Sequence, residues 1–313
     1  MPNDQITYRT LSEKLDLPPF YRPEYLDLCY GRENWAGLTN TDIAGNPVLW
    51  PVGMMNKLGF NRILQHYFTP RSGIWSADPG KLDPATVSDL IVELPKFQHF
   101  HQSFPVGFGQ QEIFREDGFH LEKRTTYFLD LTIGTEALWS NMRPDYRNNK
   151  IRKAEGRFQL IEDVHVEEFF RIHQMTYERQ QIPIYYSTDF LKKWNDLIRE
   201  KGWGQLYGAA DENGEICSVA AVLYGGRTAW LLKAGDDPTR RNEGSGIWLQ
   251  WQIIKNASLN GLEIFDFLGS MVPGIARVRK QFGGIATEYW SISRKKGLVY
   301  PTARMVFSLF NRG

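Results

Sequence analysis

The sequence predicts a mixed α/β protein organised as two domains, and three observations carry that prediction. Short runs rich in aromatic and β-branched residues, bounded by Pro, Gly and Asn–Gly steps, alternate along the chain with longer runs of helical period. The chain has 313 residues, enough for one large domain or two smaller ones. The strand-like run "KRTTYFLDLTIG" lies between a first part that mixes strands and helices and a more regular second part. It sets a boundary, giving a first domain over 1–125, a second over 126–300 and a C-terminal segment over 301–313.

Composition narrows the function classes. Hydrophobic residues make up 42% and charged residues 23%, the balance of a folded globular protein. The 19 Phe, 14 Tyr and 10 Trp supply a core and leave a few rings to line a groove. A net charge of +1 gives no global basic field that would advertise nucleic acid, although a local basic patch is compatible with it. Cys29 and Cys217 lie far apart and form no CxxC pair, which argues against a disulfide framework or a zinc site and for thiols in a reducing compartment. The start, "MPNDQITYRTLSEKLDLPPF", has no apolar core and does not read as a signal peptide. No apolar run approaches the ~20 residues of a membrane-spanning helix. The expectation is a cytoplasmic protein.

In the first part, "NPVLWPVGMMNKLGFNRILQHYF" predicts two paired strands. "DPATVSDLIVELPKF" predicts a helix that starts at Asp83–Pro84 and stops before Pro95. "FQHFHQSFPV" predicts a strand with His99 and His101 on one face. No third ligand follows at a diagnostic spacing, so no metal site is expected.

The second part opens with "TEALWSNMRPDYRNNKIRKAEGR", helical by composition but bent or restarted by Pro144. An unbroken helix would set Arg143, Arg147 and Lys150 on one face, as a solvated cationic surface or as a phosphate or RNA contact. Two helices follow in "HVEEFFRIHQMTYERQQ" and "DFLKKWNDLIREKG", then three strands with turns at Asn213–Gly214 and Gly225–Gly226. "RRNEGSGIWLQWQIIKNASLNG" is a glycine-punctuated loop leading into an apolar helix that stops at Asn260–Gly261. Arg241, Gly244 and Gly246 spell R-x-x-G-x-G, a pattern whose converging backbone N–H groups bind phosphate oxygens. "LEIFDFLGS" predicts a strand with Leu262, Ile264, Asp266 and Leu268 on one side. An Asp on that apolar face is either bonded to amides of the next loop or catalytic. "GIARVRKQFGG" predicts a short helix with Ile275, Val278 and Phe282 inward, Arg277 and Lys280 in water, and Arg279 flanking the apolar stripe.

This order of elements, with "FDFLGS", "KQFGG" and the final strand "ATEYWSISRKK", resembles the GNAT acyltransferase fold. The runs "WSNMRPDYRNNKIRKA", "AWLLKAG" and "FDFLGS…RVRKQFGG" are more specifically similar to the Fem family, aminoacyl-tRNA-dependent transferases that extend peptidoglycan bridges. The resemblance runs from about Tyr127 to Arg294. It implies tandem GNAT-like domains, each a twisted mixed sheet flanked by helices, the first degenerate. "PTARMVFSLF" would be a helix that packs back on the first domain. It also implies a catalytic-site cation four residues before the glycine of the F-G turn, which is Arg279. This chain has Val278-Arg279 where the family often has Phe-Lys, and its R-x-x-G-x-G loop is nearer to acyl-CoA-binding GNAT enzymes.

The chemistry so implied is acyl transfer to an amine. Arg279 would stabilise the oxyanion or the leaving group. Asp266 would orient the acceptor amine or take its proton. Arg241, Gly244 and Gly246 would hold donor phosphates. No tightly bound cofactor is expected; acyl-CoA or aminoacyl-tRNA would be the co-substrate. The readings are an aminoacyltransferase in cell-envelope biosynthesis, an acyl-CoA-dependent N-acyltransferase of a small amine or amino sugar, and a non-catalytic ligand-binding relative.

Overall fold

Two units divide the chain, residues 1–124 with 288–313 and residues 125–287. The computed structural model describes residues 4–57, 59–269 and 271–296, so the expected C-terminal helix over 301–313 lies outside the described residues. The first unit begins with helices α1 (Asp4–Ser12) and α2 (Pro23–Tyr30) and strands β1 (Trp35–Thr41), β2 (Pro47–Lys57), β3 (Phe60–Leu64) and β4 (Trp75–Ser76). Helix α3 (Pro84–Val92), strand β5 (His99–Ser103) and helix α4 (Gln111–Glu116) follow. As the sequence predicts, Asp83 caps α3, its carboxylate accepting the Thr86 amide at 3.0 Å, with Pro84 at the first helical position. Strand β6 (His120–Asp130) enters the second unit at Thr125.

In the second unit come α5 (Thr135–Asn141), a π-helical turn over Tyr146–Ile151, α6 (Arg152–Ala154), β7 (Gln159–Glu162), α7 (Val166–Arg179) and α8 (Thr188–Glu200). They are followed by β8 (Gly204–Ala210), β9 (Ile216–Gly225), β10 (Thr228–Asp236), α9 (Ser245–Leu259), β11 (Ile264–Asp266) and α10 (Pro273–Gln281). Strand β12 (Ile285–Lys295) ends the described chain.

The sheet of the first unit runs β1-β2-β3-β5-β12, antiparallel except for the parallel pair β3–β5. Its core centres on Trp50, which is fully buried and meets Phe100, Phe104 and Phe114 at ring distances of 5.8–6.0 Å. The buried indole N–H donates to Gln102 Oε1 at 2.7 Å, and the Gln102 amide donates to the Pro51 carbonyl at 3.0 Å, so the polar edge of the cluster is satisfied.

The sheet of the second unit runs β6-β11-β10-β9-β8-β7, with β10–β11 its parallel pair. Alternation along the strands gives it two faces. On one, Trp248, Leu249, Ile253 and Ile254 of α9 pack with Ala220, Val222, Ala229 and Leu231. The small residues of β9 let the large side chains of α9 seat closely. Helix α7 lies on the other face, where a Cβ at Gly235 would stand 3.0 Å from the His173 Cα. Among the described residues no helix is long and apolar enough to cross a membrane.

Three local expectations change. The helix expected to carry Arg143, Arg147 and Lys150 on one face is broken: α5 ends at Asn141, the chain restarts at Pro144, and a π-helical turn replaces the α spacing. Arg143 precedes the restart because Pro144 has no N–H to continue a helix through it. The strand expected over "LEIFDFLGS" is confined to Ile264–Asp266, and Leu268 takes a left-handed φ of 48° rather than sharing a strand face with Asp266. In α10, Ile275 is 38% exposed, whereas Ala276, Val278 and Phe282 meet the core. The inward stripe is therefore offset by one residue at its start.

Candidate functional site

β10 and β11 pair only from Thr228 to Trp230 and from Ile264 to Asp266. β10 then continues to Asp236, while β11 stops and turns away. This separation at the carboxyl ends of two parallel strands is where open α/β sheets place ligands. The turn that ends β11 is built by Asp266. Its carboxylate is fully buried; Oδ1 accepts the Thr126 hydroxyl at 2.6 Å and the Leu268 amide at 2.8 Å. The Thr126 hydroxyl oxygen in turn accepts the Gly269 amide at 3.0 Å. A Cβ at Gly269 would lie 1.9 Å from the Thr125 carbonyl, so only glycine permits this approach. Asp266 thus makes the contacts of a residue that shapes the loop leading to α10.

Arg279 turns inward from α10. Nη1 donates to Gln250 Oε1 of α9 at 2.5 Å, and the guanidinium carbon stands 4.8 Å from the Phe267 ring centroid. Nε is buried without a hydrogen-bond partner among the described residues. Burial pushes the guanidinium down to about 10, with Tyr146 working in the other direction. Arg277 and Lys280 are exposed. Phe282, at the end of the same helix, packs edge-on against Tyr146 at 5.7 Å and on Phe267 at 5.6 Å. Burial raises the Tyr146 phenol, and Arg279 and Arg241 pull it back. Tyr146 therefore lies in the field of both guanidiniums.

Arg241 is exposed in the turn before α9, and Gly244 adopts a left-handed φ of 87° there. A Cβ at Gly244 would touch the Lys150 carbonyl at 3.4 Å, which seats the loop on the π-helical turn. Gly246 has a different reason for being glycine. Its Cβ would fall 2.0 Å from Asp236 Oδ1, so the missing side chain makes room for a carboxylate of this chain. Valine at this position would strike Asp236, so a Gly246→Val change would disturb the fold as well as any donor bound at the loop. That carboxylate accepts the Ser218 hydroxyl at 2.9 Å, and Ser218 Oγ lies 2.6 Å from Ser245 Oγ. Burial pushes Asp236 above the usual carboxylate range, against the Ser218 bond and the charges of Arg241 and Arg179.

The basic residues separate. Arg143 is exposed, and its amide donates to the Gln281 carbonyl at the end of α10 at 3.0 Å. Arg147 is half-buried, with its Nε lacking a partner among the described residues. Lys150 is half-buried on the same turn.

Several residues of this neighbourhood escape sequence reasoning. Gln250 sits within an apolar run with no motif to mark it; Phe267 and Tyr146 lie inside the runs "FDFLGS" and "WSNMRPDYRNNKIRKA", where nothing singles them out from their neighbours. Lys233 did leave a signal, a cation inside the strand "AWLLKAG". Elsewhere in this unit, a cleft of about 700 Å³ is lined by Val164, His165, Glu168, Arg171, Glu215 and Arg240, among others. Arg240 is already held by Asp211 at 2.5 Å and Glu243 at 3.0 Å, and Arg171 by Glu168 at 2.8 Å, so that cleft offers no spare cation.

The solved structure of FemX matches this chain with a TM-score of 0.67 at 13% identity, covering 98% of this chain and 99% of that one. A conserved protein of unknown function from Bacteroides thetaiotaomicron matches with a TM-score of 0.55 at 10% identity, covering 94% and 97%. The C-terminal domain (DUF2156) of a proposed lysylphosphatidylglycerol synthetase from Agrobacterium fabrum matches with 0.54 at 11%, covering 96% and 94%. No curated protein matches. At these identities the likenesses establish the fold. Residues 140–275 match the family model of the acetyltransferase (GNAT) domain, and with these neighbours they make this chain a mixed α/β protein of the GNAT acyltransferase fold.

Proposed function

We propose that the chain transfers an acyl or aminoacyl group from an activated donor to an amine. The observation that carries this reading is Arg279, turned inward beside the separated ends of β10 and β11 with a buried N–H left without a partner among the described residues. The amine nitrogen attacks the donor carbonyl carbon, a C–N bond forms, and charge collects on the carbonyl oxygen. Arg279 faces that charge or the charge of the departing group. The bond to the leaving group then breaks, the leaving atom takes a proton, and the amine proton passes to water. Gln250 and Phe267 fix the guanidinium in advance, which limits reorganisation during the reaction. Asp266, with its oxygen committed to Thr126 and Leu268, positions the loop rather than the acceptor. The same reading treats the first unit as a degenerate second copy of the fold.

Two donors are distinguished by separate features. The turn Arg241–Gly246, with an exposed guanidinium before the first turn of α9, suits the diphosphate of an acyl-CoA. The exposed Arg143 and the cations of the π-helical turn suit the acceptor end of an aminoacyl-tRNA, with a cell-envelope peptide as acceptor. The test is thermal stabilisation and product formation with each donor. Stabilisation by acyl-CoA together with thiol release selects the first. Loss of the amino acid from charged tRNA to an amine selects the second. Neither response, with the fold intact, removes the transferase reading.

A further inference from the structure

Strict alternation along β10 from Ala229 and Leu231, which meet α9, would turn Asp236 toward α7. A bulge prevents this. Leu231 pairs with Val222 and Lys233 with Ala221, so Leu232 is an extra residue opposite no partner. Beyond it Ala234 and Asp236 take the α9 face. The bulge thus sets a carboxylate against the first turn of α9.

That turn has backbone donors to spare. No side chain caps α9, and the amides of Ser245, Gly246 and Ile247 make no hydrogen bond to another described residue. Asp236 stands beside them without capping them. A Cβ at Gly246 would lie 2.0 Å from its Oδ1 and 3.1 Å from its Oδ2, yet Oδ1 accepts the Ser218 hydroxyl and Oδ2 accepts nothing from another described residue. Ser218 of β9 and Ser245 of α9, both almost fully buried, close the space behind the carboxylate. α7 presents Thr176, whose hydroxyl accepts the Asp236 amide at 3.1 Å, and the exposed Arg179; the turn before α9 presents Arg241. Arg179 and Arg241 are cations whose charge acts on the carboxylate. Of the neighbouring charges, Asp237 is bonded to Thr239, and Arg240 is held by Asp211 and Glu243.

We propose that Asp236 makes donor binding proton-coupled: its carboxylate takes up a proton from solvent as the donor diphosphate settles on the first turn of α9. This rests on the acyl-CoA form of the proposed function and adds the residue that regulates that loop. Three free amides and Arg241 favour an anion, but an ionised Asp236 already puts one negative charge at the same helix end. A diphosphate brought against it meets a like charge in a partly desolvated place, where repulsion is strong. The carboxylate is not free to swing back, because Ser218 and Ser245 fill that side. Protonation removes the repulsion and turns Oδ2 into an O–H that donates toward a phosphate oxygen. No covalent bond forms or breaks. Burial already favours this form by raising the carboxyl, against the Ser218 bond and the two guanidiniums.

The test is titration calorimetry on the whole protein with 3′-dephospho-coenzyme A, whose diphosphate is a diester with no second ionisation near neutral pH. It is run in two buffers of different ionisation enthalpy, from weakly acid to weakly alkaline pH. The expected result is an uptake of roughly one proton at its maximum, with affinity falling about tenfold per pH unit above the unliganded midpoint of Asp236. Asp236→Asn should take up none, bind more tightly than the parent at neutral pH and show no such fall. Ser218→Ala removes a bond that favours the ionised form, so it should move the parent's profile to higher pH. That shift serves if the Asn variant does not fold, and a merely structural Asp236 would not produce it. Binding without proton uptake, or uptake that persists in Asp236→Asn, overturns the coupling and leaves the donor loop standing. No binding by the parent or by Asp236→Asn at any pH overturns it together with the acyl-CoA donor. The readout needs no turnover, so proton-coupled binding by an inactive protein supports the coupling and tells against the transfer chemistry alone.

Discussion

Replacing Arg279 by Gln tests the chemistry directly, because stability and turnover are expected to respond differently. Burial brings the guanidinium down to about 10, a desolvation cost of roughly 3 kcal/mol that the neutral amide would recover. Against that gain stand the charged hydrogen bond to Gln250, about 1.5–3 kcal/mol, and the contact over Phe267, about 0.5–2 kcal/mol. The opposing effects nearly cancel, so the variant should unfold within about 2 kcal/mol of the parent in denaturant. Turnover should instead fall by ~10²–10³, the usual loss of one preorganised oxyanion contact. The assay is initial rate per folded molecule with whichever donor the parent accepts, read alongside urea unfolding. Arg279→Lys should keep part of the rate, and Arg277→Gln and Lys280→Gln, both on the exposed side of α10, should retain nearly all of it. A large stability loss with unchanged turnover would refute the catalytic role and leave Arg279 a structural cation. Equal losses at all three positions would replace one directed contact with a diffuse field.

Three other expectations follow from named contacts. Gly246→Val should lower the unfolding midpoint, since a Cβ there lies 2.0 Å from Asp236 Oδ1 and overpacking costs ~1–3 kcal/mol; a variant with parental stability would show that Asp236 swings away. Asp236→Asn should be at least as stable as the parent at pH 7. A carboxyl raised by burial gives its full stability below the unfolded value, near ~3.9, and loses it as pH rises through the folded value, so the variant's advantage should shrink on acidification; an Asn variant that is less stable at pH 7 counts against the raised carboxyl. Replacing Arg143, Arg147 and Lys150 together by Gln should weaken tRNA binding and flatten its salt dependence if these cations contact phosphate; a slope identical to the parent's makes them a solvated surface.

Much of the second unit was written in local sequence. Turns close to the expected glycine steps delimit β8, β9 and β10, the second falling one residue later, at Gly226–Arg227, and Gly214 and Gly226 both take a positive φ. α9 begins at Ser245, within its glycine run, and stops at Asn260–Gly261, and α10 runs from Pro273 to just before its double glycine. These features depend on backbone preferences that one or a few residues impose on their neighbours. The direction of Arg279 was legible for the same reason, since helical period alone separates it from Arg277 and Lys280. Local sequence did not determine events that involve distant residues. The length of β11 depends on Thr126, 140 positions away, which clamps Asp266 and ends the strand early. The reason for Gly246 is the carboxylate of Asp236 on another strand. The face taken by Lys233 depends on a bulge that appears only when β10 is registered against β9, because one unpaired residue reverses every side chain beyond it.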